Sequence, residues 1–510
     1  MFKFSHVAVS IVLVPLLLIL YLARRRFQLP LPPGPPGLPL VGNVSQIPAE
    51  RPWRIFTDWA KKYGDIVHLS VLGQHYIILS SPEALNELLE KRSANYSDRP
   101  VMTMAGEMMG YDRSIPLAPY GTHHREIRRL MLSGINPRKA PELNAVQESK
   151  VPELLLRILV DPEHFRSHLR WFVAASVFQI THGYHVADLE DPLLKLAEQC
   201  NSDFSVATSP GAFLVDSLPM LKYVPSWLPG AGFKKLAKEG RRLSDRLMDE
   251  AYDSVKQQVA DGTALPSFTA GLIQSKEKRT PEEEYVQRCA STSFYGAASD
   301  TTVHALESFF LVMILYPDVQ RKAQAEIDSV VGPGRLPKFS DRPCLPYLGA
   351  VLKEVHRWNP IGPLALPHKV TSEDVYRGFR IPAGTIIVPN TWAVLHDQER
   401  YPDPFDVNPE RYMKNENVSN PDPRPFAFGY GRRTCPGQML AEDSLFIASA
   451  MILATFDISK VIGLDGLPVE PKVDYIGIIS SPGPFECRIV PRSADAEKLI
   501  TSVSSGAAFH

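Results

Sequence analysis

Residues 425–440 read Pro-Phe-Ala-Phe-Gly-Tyr-Gly-Arg-Arg-Thr-Cys-Pro-Gly-Gln-Met-Leu, and the rest of the chain is expected to be arranged around Cys435, the one cysteine of this stretch. Its three glycines permit positive φ angles and close backbone approach, so Cys435 is predicted to lie on a tight loop with its sulfur presented outward. Pro436 suits the first turn of a helix, and apolar residues recur at helical spacing as far as Ala448. Cys435 is therefore expected at a helix N-terminus, where backbone N–H groups favour a thiolate.

A thiolate in this position could be a nucleophile, a zinc ligand or a ligand of haem iron. A zinc site needs about four nitrogen or sulfur ligands, usually from paired cysteines. A nucleophile needs a nearby histidine base, which the stretch lacks. Haem needs one axial thiolate, an apolar wall and cations for its propionates, for which the stretch offers Cys435, Phe428 and Arg433. The cysteines of the chain are far apart, at Cys200, Cys289, Cys344, Cys435 and Cys487.

The spacing Phe428-x-x-Gly431-x-Arg433-x-Cys435-x-Gly437 resembles the haem-binding signature of the cytochrome P450 family. The resemblance implies haem b, with Cys435 as its axial thiolate and Phe428, Arg433 and Gly437 as cofactor-binding residues. It also implies a mainly α-helical fold with small β-sheets, preceded by one transmembrane helix. A structural cysteine in a glycine-rich turn is the alternative interpretation.

Bulk properties limit the range of functions. The 510 residues show no break in composition, so one large catalytic domain is expected over residues 43–495. A hydrophobic content of 44% supplies a substantial core, and a net charge of -1 argues against a nucleic-acid partner. The odd number of scattered cysteines does not suit a disulfide framework and favours a reducing compartment.

The N-terminal segment is predicted to anchor the protein in a membrane. Val7–Ala23 is a run of 17 residues without a charged side chain, just long enough to cross a bilayer, and three arginines follow it. The positive-inside rule places the catalytic domain in the cytosol, and the resemblance implies the endoplasmic reticulum membrane. A cleaved signal peptide is the alternative. The expected divisions are a single-pass anchor and basic stop at 1–26, a stiff proline-rich hinge at 27–42 and a flexible tail at 496–510.

Hydrophobic periodicity and motifs predict several elements of the catalytic domain. A helix is expected at Trp53–Tyr63, followed by two strands within residues 65–80. Further on, the segment from Tyr120 resembles the family segment in which a tryptophan and an arginine bind the haem propionates. Here His124 stands in place of the tryptophan and Arg128 is retained, one helical turn away on the same face. A solvated basic helix face is the alternative.

A long helix is predicted to begin at the capping box Thr280-Pro281-Glu282-Glu283 and to continue to Pro317. Small residues in its middle, at 296–299, would let a flat macrocycle approach closely. The acid-alcohol pair Asp300-Thr301 resembles the pair that relays protons to the oxygen site in the family. Ala298 stands where the family usually has glycine. Packing of an interior helix is the alternative reason for the small residues.

A supporting cluster is expected behind the haem. Glu354 and Arg357 lie at i and i+3 of a predicted helix, and Arg411 resembles the third member of the family's buried Glu-Arg-Arg cluster. His368 stands where family members place a propionate-binding arginine or histidine. A histidine in an ordinary loop is the alternative for His368.

The motifs together resemble a membrane-anchored haem-thiolate monooxygenase that inserts one oxygen atom from O2 into an apolar small molecule. No nucleotide fingerprint is present, so electrons are expected from NADPH through cytochrome P450 reductase, docked on the basic side near Arg128, Arg129 and Arg432. The segments 227–232 and 390–393 are similar to those of fungal enzymes of secondary metabolite biosynthesis. This similarity favours a terpenoid-like substrate, with polyketides and aromatic alkaloids as alternatives. Two further interpretations are an isomerase or dehydratase that needs neither O2 nor reductase, and a non-catalytic haem or lipid binder.

Overall fold

Helices form most of the protein, as the sequence predicts. The computed structural model describes residues 29–276, 278–413 and 420–507, with side chains described as far as residue 502. In chain order the α-helices are α1 Pro52–Tyr63, α2 Pro82–Leu85, α3 Ser93–Tyr96, α4 Thr122–Gly134, α5 Ala140–Val160, α6 Phe165–His182, α7 Pro192–Thr208, α8 Leu214–Ser217, α9 Phe233–Asp261, α10 Phe268–Gln274, α11 Pro281–Leu315, α12 Pro317–Val330, α13 Pro346–Trp358, α14 Thr391–Leu395, α15 Arg424–Ala427, α16 Gln438–Thr455 and α17 Ala494–Ala507. Shorter 3-10 or π turns lie at Val44–Gln46, Asn86–Lys91, Thr103–Met108, Tyr111–Arg113, Pro162–His164, Pro219–Tyr223, Phe339–Cys344, Pro409–Tyr412 and Gly431–Arg433.

The long helix α11 crosses the main hydrophobic core, where it packs against α4, α6 and α16. At its start the Thr280 hydroxyl accepts a hydrogen bond from the Glu283 N–H at 3.2 Å, and the Glu283 carboxylate accepts one from the Thr280 N–H at 3.0 Å. This reciprocal capping box satisfies two of the free N–H groups of the first turn. The predicted start of the helix and its end before Pro317 are confirmed.

A four-stranded sheet lies beside the helical body, and its strands follow the order β1 (Ile66–Val71), β2 (Gln74–Leu79), β6 (Ile386–Pro389) and β3 (His368–Lys369). The turn between β1 and β2 contains Leu72 and Gly73, whose φ angles are 49° and 83°, and it confirms the two predicted strands. Strand β6 pairs in parallel with β2, so a distant part of the chain completes the sheet. The strands are β1 Ile66–Val71, β2 Gln74–Leu79, β3 His368–Lys369, β4 Asp374–Tyr376, β5 Phe379–Ile381, β6 Ile386–Pro389, β7 Phe456–Ser459, β8 Tyr475–Ile476, β9 Ser481–Pro482 and β10 Arg488–Pro491.

The described part of the proline-rich hinge is attached by hydrogen bonds to strand β1 of this sheet and to β5, which pairs with β4 in a separate two-stranded sheet. The His68 N–H donates to Pro33 O at 2.9 Å, and the Arg380 N–H donates to Pro30 O at 2.8 Å. Gly34 lies so close to β1 that an added Cβ would be 2.0 Å from the His68 carbonyl oxygen. The segment therefore lies in a fixed, non-helical course along the domain.

The C-terminal segment, expected as a flexible tail at 496–510, is helical as far as Ala507. Helix α17 packs against α5 and α16, and Ile500 is 1% exposed. The Ser493 hydroxyl accepts from the Ala496 N–H at 3.1 Å, and acidic residues occupy the first turn, where their charges interact favourably with the helix dipole. The flexibility of the segment stays a prediction.

The predicted anchor at 1–26 lies outside the described residues. Among those that are described, α11 is long and apolar enough to cross a membrane, and most of its apolar window is buried inside the protein. This burial is typical of the central helix of a folded domain.

Candidate active site

The loop that presents Cys435 has a fixed backbone. The Cys435 N–H donates to Phe428 O at 2.7 Å, which closes the loop just before α16 begins. Gly429 and Gly431 have φ angles of 82° and 56°. A Cβ on Gly431 would lie 2.1 Å from the Leu89 carbonyl oxygen, so this position requires glycine for both space and conformation.

Cys435 is accessible although protein atoms surround it, which indicates an internal space beside the sulfur. Burial raises the pKa of the thiol, while the Gly437 N–H and the charge of Arg128 lower it. The expectation that the helix N-terminus favours the thiolate is therefore not supported, because loss of solvent outweighs the local donors. Coordination to a metal cation would supply the missing charge and deprotonate the thiol.

Two buried arginines lie beside this loop. Arg433 is 8% exposed and donates to Ser97 O and Ala118 O, each at 2.7 Å. Arg99 is 6% exposed and donates to Leu366 O at 2.7 Å. Burial lowers the pKa of Arg433 to about 10, and burial together with Arg433 lowers the pKa of Arg99. The bonds of both guanidinium groups go to neutral backbone carbonyls, so an anionic group would be strongly stabilised here.

The predicted propionate ligands His124 and Arg128 both lie on α4. His124 is 1% exposed, and its Nδ1 has no hydrogen-bond partner among the described residues. Burial and the neighbouring arginines lower its pKa to about 3, so the ring is neutral and can donate one N–H. Arg128 donates to Thr434 O at 2.6 Å and thus contacts the residue before Cys435.

His368 lies on β3 and joins the same cluster. Its Nδ1 is 2.6 Å from Tyr96 O, which makes Nδ1 the donor and leaves Nε2 as the other ring nitrogen. Burial, followed by the charge of Arg99, lowers the pKa of His368 well below its ordinary value. The predicted residues His124, Arg128, His368 and Arg433 are thus brought together.

The donor set fits haem b. One cysteine is accessible, and among the described residues the hydrogen bonds of the buried Arg99, His368 and Arg433 go to backbone carbonyls, which suits a metal macrocycle that carries two carboxylates. Sequence reasoning missed Arg99, for which the only signal was an isolated arginine at the start of the methionine-rich segment 98–119. The Phe428 and His356 rings form a T-shaped pair at a centroid distance of 5.1 Å.

The middle of α11 contains small residues that are accessible. Gly296 and Ala297 are exposed, although most of the helix on either side is buried. Ser293 links α11 to the cysteine loop, because its hydroxyl accepts from the Ile115 N–H at 3.1 Å while Ile115 O accepts from Arg433 at 3.4 Å. The small residues of α11 therefore lie near the loop of Cys435.

The acid-alcohol pair is not hydrogen-bonded to itself in this arrangement. Asp300 accepts from Nη1 of Arg170 at 2.8 Å, whereas the Thr301 hydroxyl donates to Ala297 O at 2.9 Å. Ala298, at the position where glycine is usual, packs at the edge of the main core without interrupting α11.

The predicted supporting cluster is assembled and buried. Arg357 Nε donates to Glu354 Oε1 at 2.6 Å and Nη2 donates to Oε2 at 2.9 Å, with both side chains fully buried. Arg411 Nε is 3.7 Å from Glu354 Oε2, an ion pair without a hydrogen bond. Sequence reasoning missed Tyr412, whose hydroxyl donates to Glu354 Oε1 at 3.1 Å.

Comparisons with known proteins agree with this site. The sequence profile described as Cytochrome P450 matches residues 32–486. The chain is 46% identical over 497 residues to Cytochrome P450 monooxygenase 208 of Postia placenta, covering 97% of this chain and 96% of that protein. It is 44% identical over 487 residues to Cytochrome P450 monooxygenase claR of Ampulloclitocybe clavipes, covering 95% and 90%. Tryptamine 4-monooxygenase of Psilocybe cyanescens is 38% identical over 492 residues, covering 94% and 96%.

The chain belongs to the cytochrome P450 family. It is an oxidoreductase, a monooxygenase that binds haem b through a cysteine thiolate.

Proposed function

We propose that Cys435 is the haem-ligating cysteine and that the enzyme inserts one oxygen atom from O2 into a C–H bond of an apolar small molecule. The observation that carries this proposal is the accessible, deeply surrounded sulfur of Cys435 on a loop whose glycine cannot be replaced without a clash. When bound, haem b supplies the redox chemistry of oxygen activation.

The residues of the chain bind the cofactor, supply protons and support the cysteine loop. The two carboxylates of the cofactor would be held by hydrogen bonds and charge from five side chains, those of Arg99, His124, Arg128, His368 and Arg433. Burial of this cluster excludes water from the carboxylates and strengthens each bond.

On the opposite side of the cavity, Asp300 and Thr301 supply protons to the oxygen site. Glu354, Arg357 and Arg411 fix the segment behind the cysteine loop. Their donors and acceptors bind one another and the backbone. This cluster therefore holds the loop in position and takes no part in the reaction.

The proposed substrate is a terpenoid-like intermediate of fungal secondary metabolism. The methionine-rich segment supports an apolar ligand, because Met104 and Met109 are buried in a cluster that joins this segment to α7, α8 and α9. Hydroxylation of an aromatic alkaloid is the second candidate, favoured by the similarity to the tryptamine 4-monooxygenase.

The proposed electron donor is NADPH-cytochrome P450 reductase. A surface concavity of about 600 Å³ near the cysteine loop is lined by Arg125, Arg128, Arg129 and Arg432, which suits an acidic partner. We further propose a single-pass anchor in the endoplasmic reticulum membrane with a cytosolic catalytic domain. Exposed apolar side chains such as Trp227, at 79% exposure, offer additional contact with lipid.

The test is expression of the full chain in a host that supplies a reductase, with metabolite profiling under O2. Wild-type protein is expected to form an oxygenated product and to show the red-shifted carbon monoxide Soret band of a thiolate-ligated haem. Cys435→Ala should lose both, whereas Cys344→Ala, which removes an exposed cysteine, should keep both. Product formed without O2 or reductase would instead indicate an isomerase or dehydratase, and unchanged product from Cys435→Ala would reject the proposal.

A further inference from the structure

The 3-10 turn Gly431–Arg433 belongs to the cysteine loop, residues 428–435, and its first N–H group needs an outside acceptor. Within the loop, the Arg433 N–H donates to Tyr430 O at 3.0 Å and the Thr434 N–H donates to Gly431 O at 3.2 Å. The N–H groups at the start of a helical turn have no partner inside that turn. The acceptor for the Gly431 N–H therefore comes from another part of the chain.

Glu90 supplies this acceptor. Its Oε1 accepts a hydrogen bond from the Gly431 N–H at 2.6 Å, although the two residues are 341 positions apart in the sequence. A hydrogen bond to an ionised carboxylate is shorter and stronger than one to a neutral acceptor. The bond therefore ties the cysteine loop firmly to a distant segment.

The backbone next to Glu90 limits the position of the same glycine. An added Cβ on Gly431 would lie 2.1 Å from Leu89 O and 3.2 Å from the Cβ of Ser93. Leu89 itself is 1% exposed, so its carbonyl cannot easily move away. Close packing against Leu89 and the hydrogen bond to Glu90 thus fix Gly431 from one side.

Both contacts come from the π turn Asn86–Lys91. Its widened geometry is seen in the Arg92 N–H, which donates to Glu87 O five residues earlier at 3.1 Å. Turns of this type are rare and are often found at functional sites. Glu87 lies in the same turn but pairs with Lys91 and Arg92, each at 3.2 Å. The turn therefore carries two glutamates, of which Glu90 binds the cysteine loop and Glu87 binds its own segment.

The segment after the π turn contacts the cysteine loop again. Ser97 O accepts from Arg433 Nε at 2.7 Å, at the other end of the 3-10 turn. Tyr96 O lies 2.6 Å from Nδ1 of His368. Residues 86–97 thus form a support that contacts the loop at two points and also reaches the cluster of buried cations.

We propose that Glu90 is a positioning residue that fixes the cysteine loop and keeps Cys435 in the position that coordination to iron requires. Glu90 is exposed and acts through Gly431, four residues before Cys435. Without its carboxylate the Gly431 N–H loses its acceptor, and the loop moves more freely. The inference rests on the proposed function, because that function assigns the haem ligand to Cys435.

The first test is hydrogen exchange of the holoprotein, followed by mass spectrometry of a peptide that contains residues 428–435. Glu90→Ala is expected to speed exchange in this peptide about fivefold, the factor that corresponds to one net hydrogen bond. Glu90→Gln keeps an acceptor oxygen without the charge and should show a smaller increase. Glu87→Ala is the matched control, since it removes two ion pairs from the same turn but no bond to the loop. Wild-type exchange in Glu90→Ala would overturn the proposal.

The second test follows the red-shifted carbon monoxide Soret band of the reduced holoprotein in urea below the unfolding transition. The band is expected to decay about fivefold faster in Glu90→Ala than in the wild type, with an intermediate rate in Glu90→Gln. Far-ultraviolet circular dichroism under the same conditions should stay constant, which separates loss of the thiolate ligand from unfolding. Glu87→Ala should show the wild-type rate of decay, whereas equally fast decay in Glu87→Ala and Glu90→Ala would reduce the effect to general destabilisation and overturn the proposal.

The outcomes separate this inference from the proposed function. If Cys435→Ala lacks the band while Glu90→Ala decays at the wild-type rate, the role of Glu90 is wrong and the assignment of Cys435 stands. If Glu90→Gln behaves as Glu90→Ala in both tests, the acceptor oxygen is not the cause and the inference is wrong. If Cys435→Ala keeps the band, the proposed function is wrong and the inference is rejected with it.

Discussion

Replacing Arg357 with alanine is expected to destabilise the protein by about 3–5 kcal/mol, the usual effect of removing one partner from a buried ion pair. Glu354 would remain at 0% exposure without its main counter-charge. The carbonyl oxygens of Pro404 and Asp406, which now accept from Arg357 at 2.6 and 2.8 Å, would lose their donors. Because a folded domain is stable by about 5–15 kcal/mol, this change removes a large share of the total.

The assay is urea unfolding of the purified holoprotein, followed by circular dichroism and by the Soret band. Arg246→Ala is the matched control, since its partner Glu250 is about half exposed and the pair is expected to contribute only about 0–1 kcal/mol. Glu354→Gln should fall between the two, because the amide keeps one acceptor but loses the charge. If Arg357→Ala unfolds within about 1 kcal/mol of wild type, the buried cluster does not stabilise the fold to the expected extent.

Three further outcomes are expected. Gly431→Ala should lose haem and the thiolate-type carbon monoxide spectrum, because its Cβ would meet the Leu89 carbonyl at 2.1 Å. Ile500→Ala should lower the free energy of unfolding by about 2–5 kcal/mol, since the side chain is 1% exposed. Burial lowers the pKa of His182 to about 4, so the folded state keeps it neutral while the unfolded chain protonates it below about 6.5. Stability should therefore fall as the pH drops from about 6.5 towards 4, and His182→Phe should reduce that fall.

Two of these variants have a matched control, and the pH prediction has a direct contradicting result. Gly349→Ala adds a Cβ that meets nothing within 4 Å and should retain haem. Lys498→Ala, in the same helix as Ile500, removes a side chain that is 78% exposed and should leave the unfolding midpoint unchanged. A urea midpoint of wild-type protein that is equal at pH 7 and pH 5 would contradict the reasoning on His182.

Features that depend on residues close together in the chain were predictable from the sequence. The start of α11 follows from one capping box, and its end follows from a proline. The pairing of Glu354 with Arg357 follows from helical spacing alone. In each case the deciding contacts lie within a few residues, so no knowledge of the rest of the fold is needed.

Features that depend on distant contacts were not predictable in this way. Arg99 donates to carbonyl groups that lie 17 and 267 residues further along the chain. The residues next to Arg99 in the sequence do not indicate these partners. Likewise, the pairing of Asp300 with Arg170 spans 130 residues and joins two separate helices. The raised pKa of Cys435 also depends on burial by the whole domain.

The proline-rich hinge, which lies along β1, limits how far the enzyme can be shortened. Deletions that aim at a soluble form should stop before Pro30, because its carbonyl accepts the backbone N–H of Arg380 on β5 and that of Pro33 accepts the N–H of His68 on β1. A deletion that extends ten residues further would leave those donors to water and would expose the edge of β1 to neighbouring molecules. Shortened versions that keep the hinge from Pro30 onward should thus remain monodisperse where longer deletions aggregate.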